Sequence, residues 1–181
     1  MKRITFAVLA AAGLCVAIAA PASAQGLRYG VSAGVLMPMG DYNTFDKPGW
    51  VAGAGVTKWL TGNSIGIRFD GSYSQTSHDA VDGHSKIAGG MASVVYGLIP
   101  ATASARPFIT GGVGYYNVKV DDGAGTSASE SKVGFGLGAG ISLKMGTGST
   151  RLIVATRYTS VSTSGSSTTF LPLTVGLSFG K

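Results

Sequence analysis

The feature that most constrains this chain is a strict two-residue alternation, clearest in the final stretch Phe170-Leu-Pro-Leu-Thr-Val-Gly-Leu-Ser-Phe-Gly-Lys181. Leu171, Leu173, Val175, Leu177 and Phe179 are all apolar, whereas Pro172, Thr174, Gly176 and Ser178 are small or polar. A period of two puts each set on its own face of a β-strand. The run is as long as a tilted strand needs to cross a bilayer, roughly 9–11 residues. One such strand would equally suit a soluble sandwich or a soluble barrel. The choice rests on how often the pattern recurs.

It recurs along the whole chain. Leu27, Tyr29, Val31, Ala33 and Val35 oppose Arg28, Gly30, Ser32 and Gly34 in a first strand that stops at Pro38. Trp50, Ala52, Ala54 and Val56 mark a second, which turns at Thr61-Gly-Asn63. In the third, Ile65, Ile67, Phe69, Gly71 and Tyr73 oppose Gly66, Arg68, Asp70, Ser72 and Ser74. A fourth strand ends at Pro100 and a fifth runs from Arg106 to Tyr116; in both, either face could be the apolar one. Val133, Phe135, Leu137, Ala139, Ile141 and Leu143 alternate with Gly134, Gly136, Gly138, Gly140, Ser142 and Lys144 in the sixth. Leu152, Val154, Thr156 and Tyr158 oppose Ile153, Ala155 and Arg157 in the seventh.

The polar runs 75–85, 121–130 and 160–169 read as loops, whereas the connections after strands two, four and six are tight. Eight strands joined by alternately long and short connections form the pattern of an outer-membrane barrel. The expected fold is therefore all-β, an eight-stranded antiparallel up-and-down transmembrane barrel with short periplasmic turns and longer extracellular loops.

The start of the chain explains how such a protein would reach its membrane. Met1-Lys-Arg3, an uncharged run from Ile4 to Ala20 and the ending Ala22-Ser-Ala24 make a secretory signal peptide over 1–24, cut before a barrel domain over 25–181. The single cysteine, Cys15, falls in this leader, so the mature chain has no disulfide, thiolate metal site or catalytic cysteine. Without Lys2 and Arg3, 14 basic residues become 12 against 8 acidic, a net charge of +4. Charged residues make up only 12 % of the chain, yet nothing after the leader approaches the eighteen or so apolar residues of a spanning helix. An exported, apolar chain without such a helix can cross only as a closed barrel.

Charge is placed accordingly. Asp41, Asp46, Asp79, Asp82, Asp121, Asp122 and Glu130 fall in the stretches read as long loops, and Arg28, Lys58, Arg106, Lys144, Arg151 and Lys181 lie near the short turns. Arg68, Asp70 and Arg157 instead lie within strands three and seven, where the alternation turns them into the barrel. Strands three and seven stand across from one another in an eight-stranded barrel, whose interior is just wide enough for side chains to fill it. Buried charges must be paired or wet. The expected arrangement is an interior polar cluster in which both arginines compete for Asp70; the sharper alternative is a gate that switches partners and admits ions.

The remaining candidates are weaker. His78 and His84 lie near Asp79 and Asp82, but the spacing matches no established metal site, and a solvated loop accounts for them equally well. The alternate glycines 134–140 keep a period of two and lead into no helix, so they are not a phosphate loop. They leave room inside a narrow barrel for Arg157 of the adjacent strand. No arginine-rich run or aromatic platform points to nucleic acid, and no motif points to a cofactor.

Arg106-Pro-Phe-Ile-Thr-Gly-Gly-Val-Gly-Tyr-Tyr116, Arg157-Tyr158, Leu171-Pro-Leu-Thr-Val-Gly-Leu-Ser-Phe179 and the turn Leu36-Met-Pro-Met-Gly-Asp41 give the mature chain its family likeness. It resembles the OmpA/OmpX-like family of small outer-membrane barrels. The resemblance implies both termini in the periplasm and residence among outer-membrane lipids and lipopolysaccharide. It also implies a closing-strand signal, here Leu173, Val175, Leu177 and Phe179, read by the barrel-assembly machinery. Phe179 is followed by Gly180 and Lys181 rather than ending the chain, and no peptidoglycan-binding domain of the OmpA kind is expected after it. The expected function is a monomeric structural or surface-interaction protein and not an enzyme. A narrow channel for small polar solutes is the second reading, and an outer-leaflet lipid-modifying enzyme the third.

Overall fold

The computed structural model describes residues 26–40, 46–60, 64–78, 83–121, 127–163 and 166–180. The leader over 1–24 lies outside them, as do Asp41, Asp79, Asp82 and Asp122. Eight strands follow in order: β1 Leu27–Met39, β2 Gly49–Trp59, β3 Ile65–Ser77, β4 His84–Gly97, β5 Ala105–Asp121, β6 Ser127–Lys144, β7 Arg151–Thr163 and β8 Ser166–Phe179. Each pairs antiparallel with its neighbours in sequence, and β8 closes on β1 from Tyr29↔Phe179 to Met39↔Thr169. Closure leaves no unpaired edge, the condition for strands to cross hydrocarbon. The first residues of β1, β3, β5 and β7, the last residues of β2, β4, β6 and β8 and the connections 98–104 and 145–150 lie at one end, the inner end; the opposite strand ends lie at the outer end.

The alternation holds through the barrel. Val31, Val35, Ile67, Phe69, Leu173 and Val175 face outward, and Val113, Val133 and Leu137 are each more than 60 % exposed. A belt of this kind has lipid as its solvent. Exposed aromatics border it, Tyr96 and Phe179 towards the inner end and the paired Trp50 and Tyr73 towards the outer end, with ring centroids 5.6 Å apart.

The facing of the fourth and fifth strands, left open by the sequence, is now defined. β4 turns Ile87, Met91, Ser93 and Val95 inward and Val94 and Tyr96 outward; β5 turns Arg106, Phe108 and Tyr116 inward and Ile109, Val113 and Tyr115 outward. Both faces are apolar because this wall of the lumen is itself apolar.

The polar runs read as loops contain more strand than expected. Ser74–Ser77 pair with His84–Ile87, Ser127–Glu130 with Val118–Asp121, and Ser160–Thr163 with Ser166–Thr169. A polar composition removes the facing signal but not the hydrogen-bond ladder, and threonine suits a pleated backbone. The outer-end segments therefore run on as strands beyond the apolar belt.

Candidate functional site within the lumen

The interior is layered along the barrel axis. Towards the outer end, Leu36, Val51, Ile87, Met91, Tyr116, Val118, Val161 and Phe170 form one buried apolar cluster. Tyr116 meets Phe170 edge to face, with ring centroids 6.0 Å apart. Glycine makes this possible: a Cβ on Gly89 would run into the Tyr116 ring, and one on Gly114 would lie 2.8 Å from Tyr116 Cε2. Residues from β1, β2, β4, β5, β7 and β8 thus meet across the axis.

Below the cluster lie the three charged residues singled out by the alternation. Arg157 Nη1 donates to both carboxylate oxygens of Asp70, at 3.1 and 3.0 Å, across the lumen. Small neighbours admit the pair: a Cβ on Gly55 would come within 2.8 Å of Asp70 Cβ, and one on Gly138 within 3.0 Å of Arg157 Cβ. Arg68 does not share the carboxylate. Its Nε donates to Thr57 Oγ1 at 3.1 Å, and its guanidinium lies 5.7 Å from the centre of the Phe108 ring. A cavity of about 140 Å³ adjoins the three, and Thr110 and Thr174 also line it.

The inner end has a second layer of arginine. Arg28 donates to Ser178 Oγ and to the carbonyls of Gly180, Ser149 and Ser178. Arg151 donates to Ser142 Oγ at 2.8 Å and to the carbonyls of Ala101 and Ala103. Arg106 donates to Ile99 O at 3.0 Å, with its guanidinium 4.2 Å from the Trp59 ring centre. The sequence places these arginines near the tight turns; their convergence on the lumen comes from the first residues of β1, β5 and β7 pointing inward.

At the outer rim the sequence misses a polar cluster. Asp46, which pairs with His78 in an isolated bridge, is buried and accepts from Thr76 Oγ1 at 2.9 Å and Ser85 Oγ at 3.0 Å. His78 Nε2 lies 3.2 Å from Ser85 Oγ and 3.7 Å from Asp46 Oδ1. Aspartate, histidine and serine are present, but not in relay order. The carboxylate and the serine share one imidazole nitrogen, and Ser85 is 1 % exposed, beyond the reach of a substrate. Among the described residues, no group of three or more His, Cys, Asp or Glu is placed to hold a metal ion.

On the closing strand, Leu173, Val175 and Phe179 face outward and exposed, and Leu177 is half-buried on the same face.

A closed antiparallel barrel with an apolar outer belt, bordering aromatics and a side-chain-filled lumen defines an integral outer-membrane barrel protein. The family model described as "Outer membrane protein beta-barrel domain" matches residues 6–179, and the chain belongs to this family. Its place is accordingly the outer membrane. No functionally curated protein matches it.

Among solved structures, Neisserial surface protein A aligns with TM-score 0.65 at 14 % identity, over 87 % of this chain and 98 % of that one. The outer membrane enzyme PagL aligns with TM-score 0.52 at 15 % identity, over 85 % and 99 %. Ail, the attachment invasion locus protein of Yersinia pestis, solved with the heparin analogue sucrose octasulfate, aligns with TM-score 0.52 at 18 % identity, over 86 % and 100 %. At these identities the likeness is one of fold.

Proposed function

We propose that this protein is a closed, non-conducting barrel with a structural or surface-interaction role, its outer-end strands and connections presented outside the cell. The observation that carries the reading is the apolar cluster across the lumen, with Tyr116 and Phe170 in contact at its centre. Water and ions pass a constriction only where polar groups replace their hydration, and this layer offers almost none. The ion pair beneath it closes the lumen a second time. A soluble surface also continues above the lipid belt, because β5 with β6 and β7 with β8 extend there as Ser/Thr-rich ribbons. The relatives described as a surface protein and an attachment protein fit such a role.

The likeness to PagL keeps an enzymatic reading in view. Burial of Ser85 and the order of Asp46, His78 and Ser85 weigh against it. We read the chain as a monomer that the barrel-assembly machinery inserts through its closing strand. Single-channel recording on refolded protein in planar bilayers tests closure. The expected trace has only small, rare openings; a large steady conductance would overturn the reading and favour the channel.

A further inference from the structure

We propose that the outer wall of the barrel binds a lipid of the outer leaflet with an anionic phosphate headgroup, the headgroup at Lys86 and Lys119 and one acyl chain along β4. The two lysines are direct cross-strand partners. Ile87 and Val118 beside them are buried inside, so the alternation turns both lysines to the outer wall. Among the lysines and arginines of the eight strands, they are the two that face outward at the outer end. Neither makes a hydrogen bond or ion pair with another described residue. Of the nearby acids, Glu130 is turned to the lumen side and holds Lys132 at 3.0 Å, and Asp121 stands one step farther out, beside His84.

The height of the lysines on the wall points to lipid. Lys86 lies one outward position beyond Ala88, which pairs with Tyr73, an aromatic at the border of the apolar belt. That step is about 7 Å along the strand, and at this height an outward side chain meets headgroups. Towards the inner end, Ala88, Gly90 and Ala92 continue the outward face of β4 as the floor of a groove. Tyr73 and Phe69 of β3 rise on one side of it, Tyr115 and Val113 of β5 on the other, and Val94 ends it. Apolar contact brings no hydrophobic gain within a membrane, so a chain is held there by close fit, which small residues permit.

The neighbouring polar groups complete the headgroup site. Asn117 Nδ2 donates to Ser129 Oγ at 2.9 Å and to Ser131 Oγ at 2.8 Å on the same wall, next to Lys119. Each hydroxyl accepts from the amide and keeps its own hydrogen for an incoming oxygen. A phosphate carries the charge and the acceptor oxygens to meet two ammonium groups and these hydroxyls. Lysines that merely snorkel to the interface are the competing account. It explains each lysine singly but not their juxtaposition, since like charges directly opposite destabilise a sheet. A phosphate between them turns that repulsion into attraction. The site uses no lumen residue, so it stands or falls independently of whether the barrel conducts.

Native mass spectrometry of refolded protein released from maltoside micelles reads the bound lipid directly. The micelles contain equal amounts of phosphatidic acid and phosphatidylcholine with the same acyl chains. Wild type is compared with the double variant Lys86→Gln/Lys119→Gln, with Gly90→Leu, and with Lys144→Gln, which loses a charge at the inner end. Gel mobility of unboiled samples verifies that each variant is folded; Gly90 has room for its substitution, because an added Cβ meets only Asp70 O, at 3.6 Å. Wild type and Lys144→Gln should retain phosphatidic acid with a preference of roughly tenfold. The double lysine variant should retain the two lipids equally, and Gly90→Leu should retain less phosphatidic acid than wild type. Equal retention of the two lipids by wild type, an unchanged preference in the double lysine variant, or an equal loss in Lys144→Gln would overturn the proposal. Undiminished retention in Gly90→Leu would overturn the acyl-chain groove, and displacement of the lipid by excess inorganic phosphate would overturn the assignment to a lipid.

Discussion

Neutralising Asp70 should destabilise the barrel more than removing its arginine partner. Arg157 Nη1 reaches both carboxylate oxygens, and the two side chains retain only 19 % and 18 % of their exposure. Removing one member of a fully buried pair costs roughly 3–5 kcal/mol, and an exposed pair is worth roughly 0–1 kcal/mol. A pair one-fifth exposed beside a cavity that admits water lies between these limits, at about 2–3 kcal/mol for Asp70→Asn. Asparagine keeps the size and one acceptor oxygen, so the loss is that of charge. It leaves Arg68 and Arg157 facing each other's field with nothing between them.

Arg157→Met should cost about half as much, because the structure holds a replacement. Arg68 is two residues from Asp70 on the same strand face, bonded only to Thr57, and can turn to the abandoned carboxylate. Urea unfolding in detergent followed by the fluorescence of Trp50 and Trp59, with the double variant completing the cycle, measures both values and their coupling. A stability of Asp70→Asn within about 0.5 kcal/mol of wild type, the upper range for surface substitutions, would refute the buried pair. A larger loss in Arg157→Met than in Asp70→Asn would refute the substitute role of Arg68.

Two further outcomes follow from facing and packing. Leu173→Arg puts a charge against hydrocarbon at a cost of roughly 2–4 kcal/mol near mid-bilayer, so its folded yield on unboiled gels should fall well below that of Thr174→Arg, which points into the lumen. Equal yields would mean that this face of β8 does not meet lipid. Gly89→Ala forces its methyl into the Tyr116 ring and should lower stability by roughly 1–3 kcal/mol, as overpacking does; an unchanged urea midpoint would show that the apolar cluster is loose.

The strands that were legible in the sequence are those whose two faces differ in chemistry. β6 and β8 alternate bulky apolar residues with glycine, serine and threonine, so membrane face and lumen face separate on inspection. β4 and β5 do not, because Ile87, Met91, Val95 and Phe108 fill a lumen that is as apolar as the lipid side. Asp70 and Arg157 could be placed together because charges inside the alternation are few and must meet. Which arginine takes the carboxylate depends on side-chain reach and on the glycines beside it, which a face assignment cannot rank. The network of Asp46, Thr76, His78 and Ser85 joins the first outer connection to the edges of β3 and β4. Its members are separated by up to 39 positions and share no periodicity, so only the fold could bring them together.

The order of the layers gives each one a physical role that its neighbours require. The apolar cluster lies between the outer rim and the pair of Asp70 and Arg157, and an ion pair attracts more strongly where less water reaches it. The pair in turn neutralises Asp70, a carboxylate on the lumen face of β3. The partition seen here, with one arginine on the carboxylate and the other on a hydroxyl and a ring, leaves Arg68 facing two cavities at once.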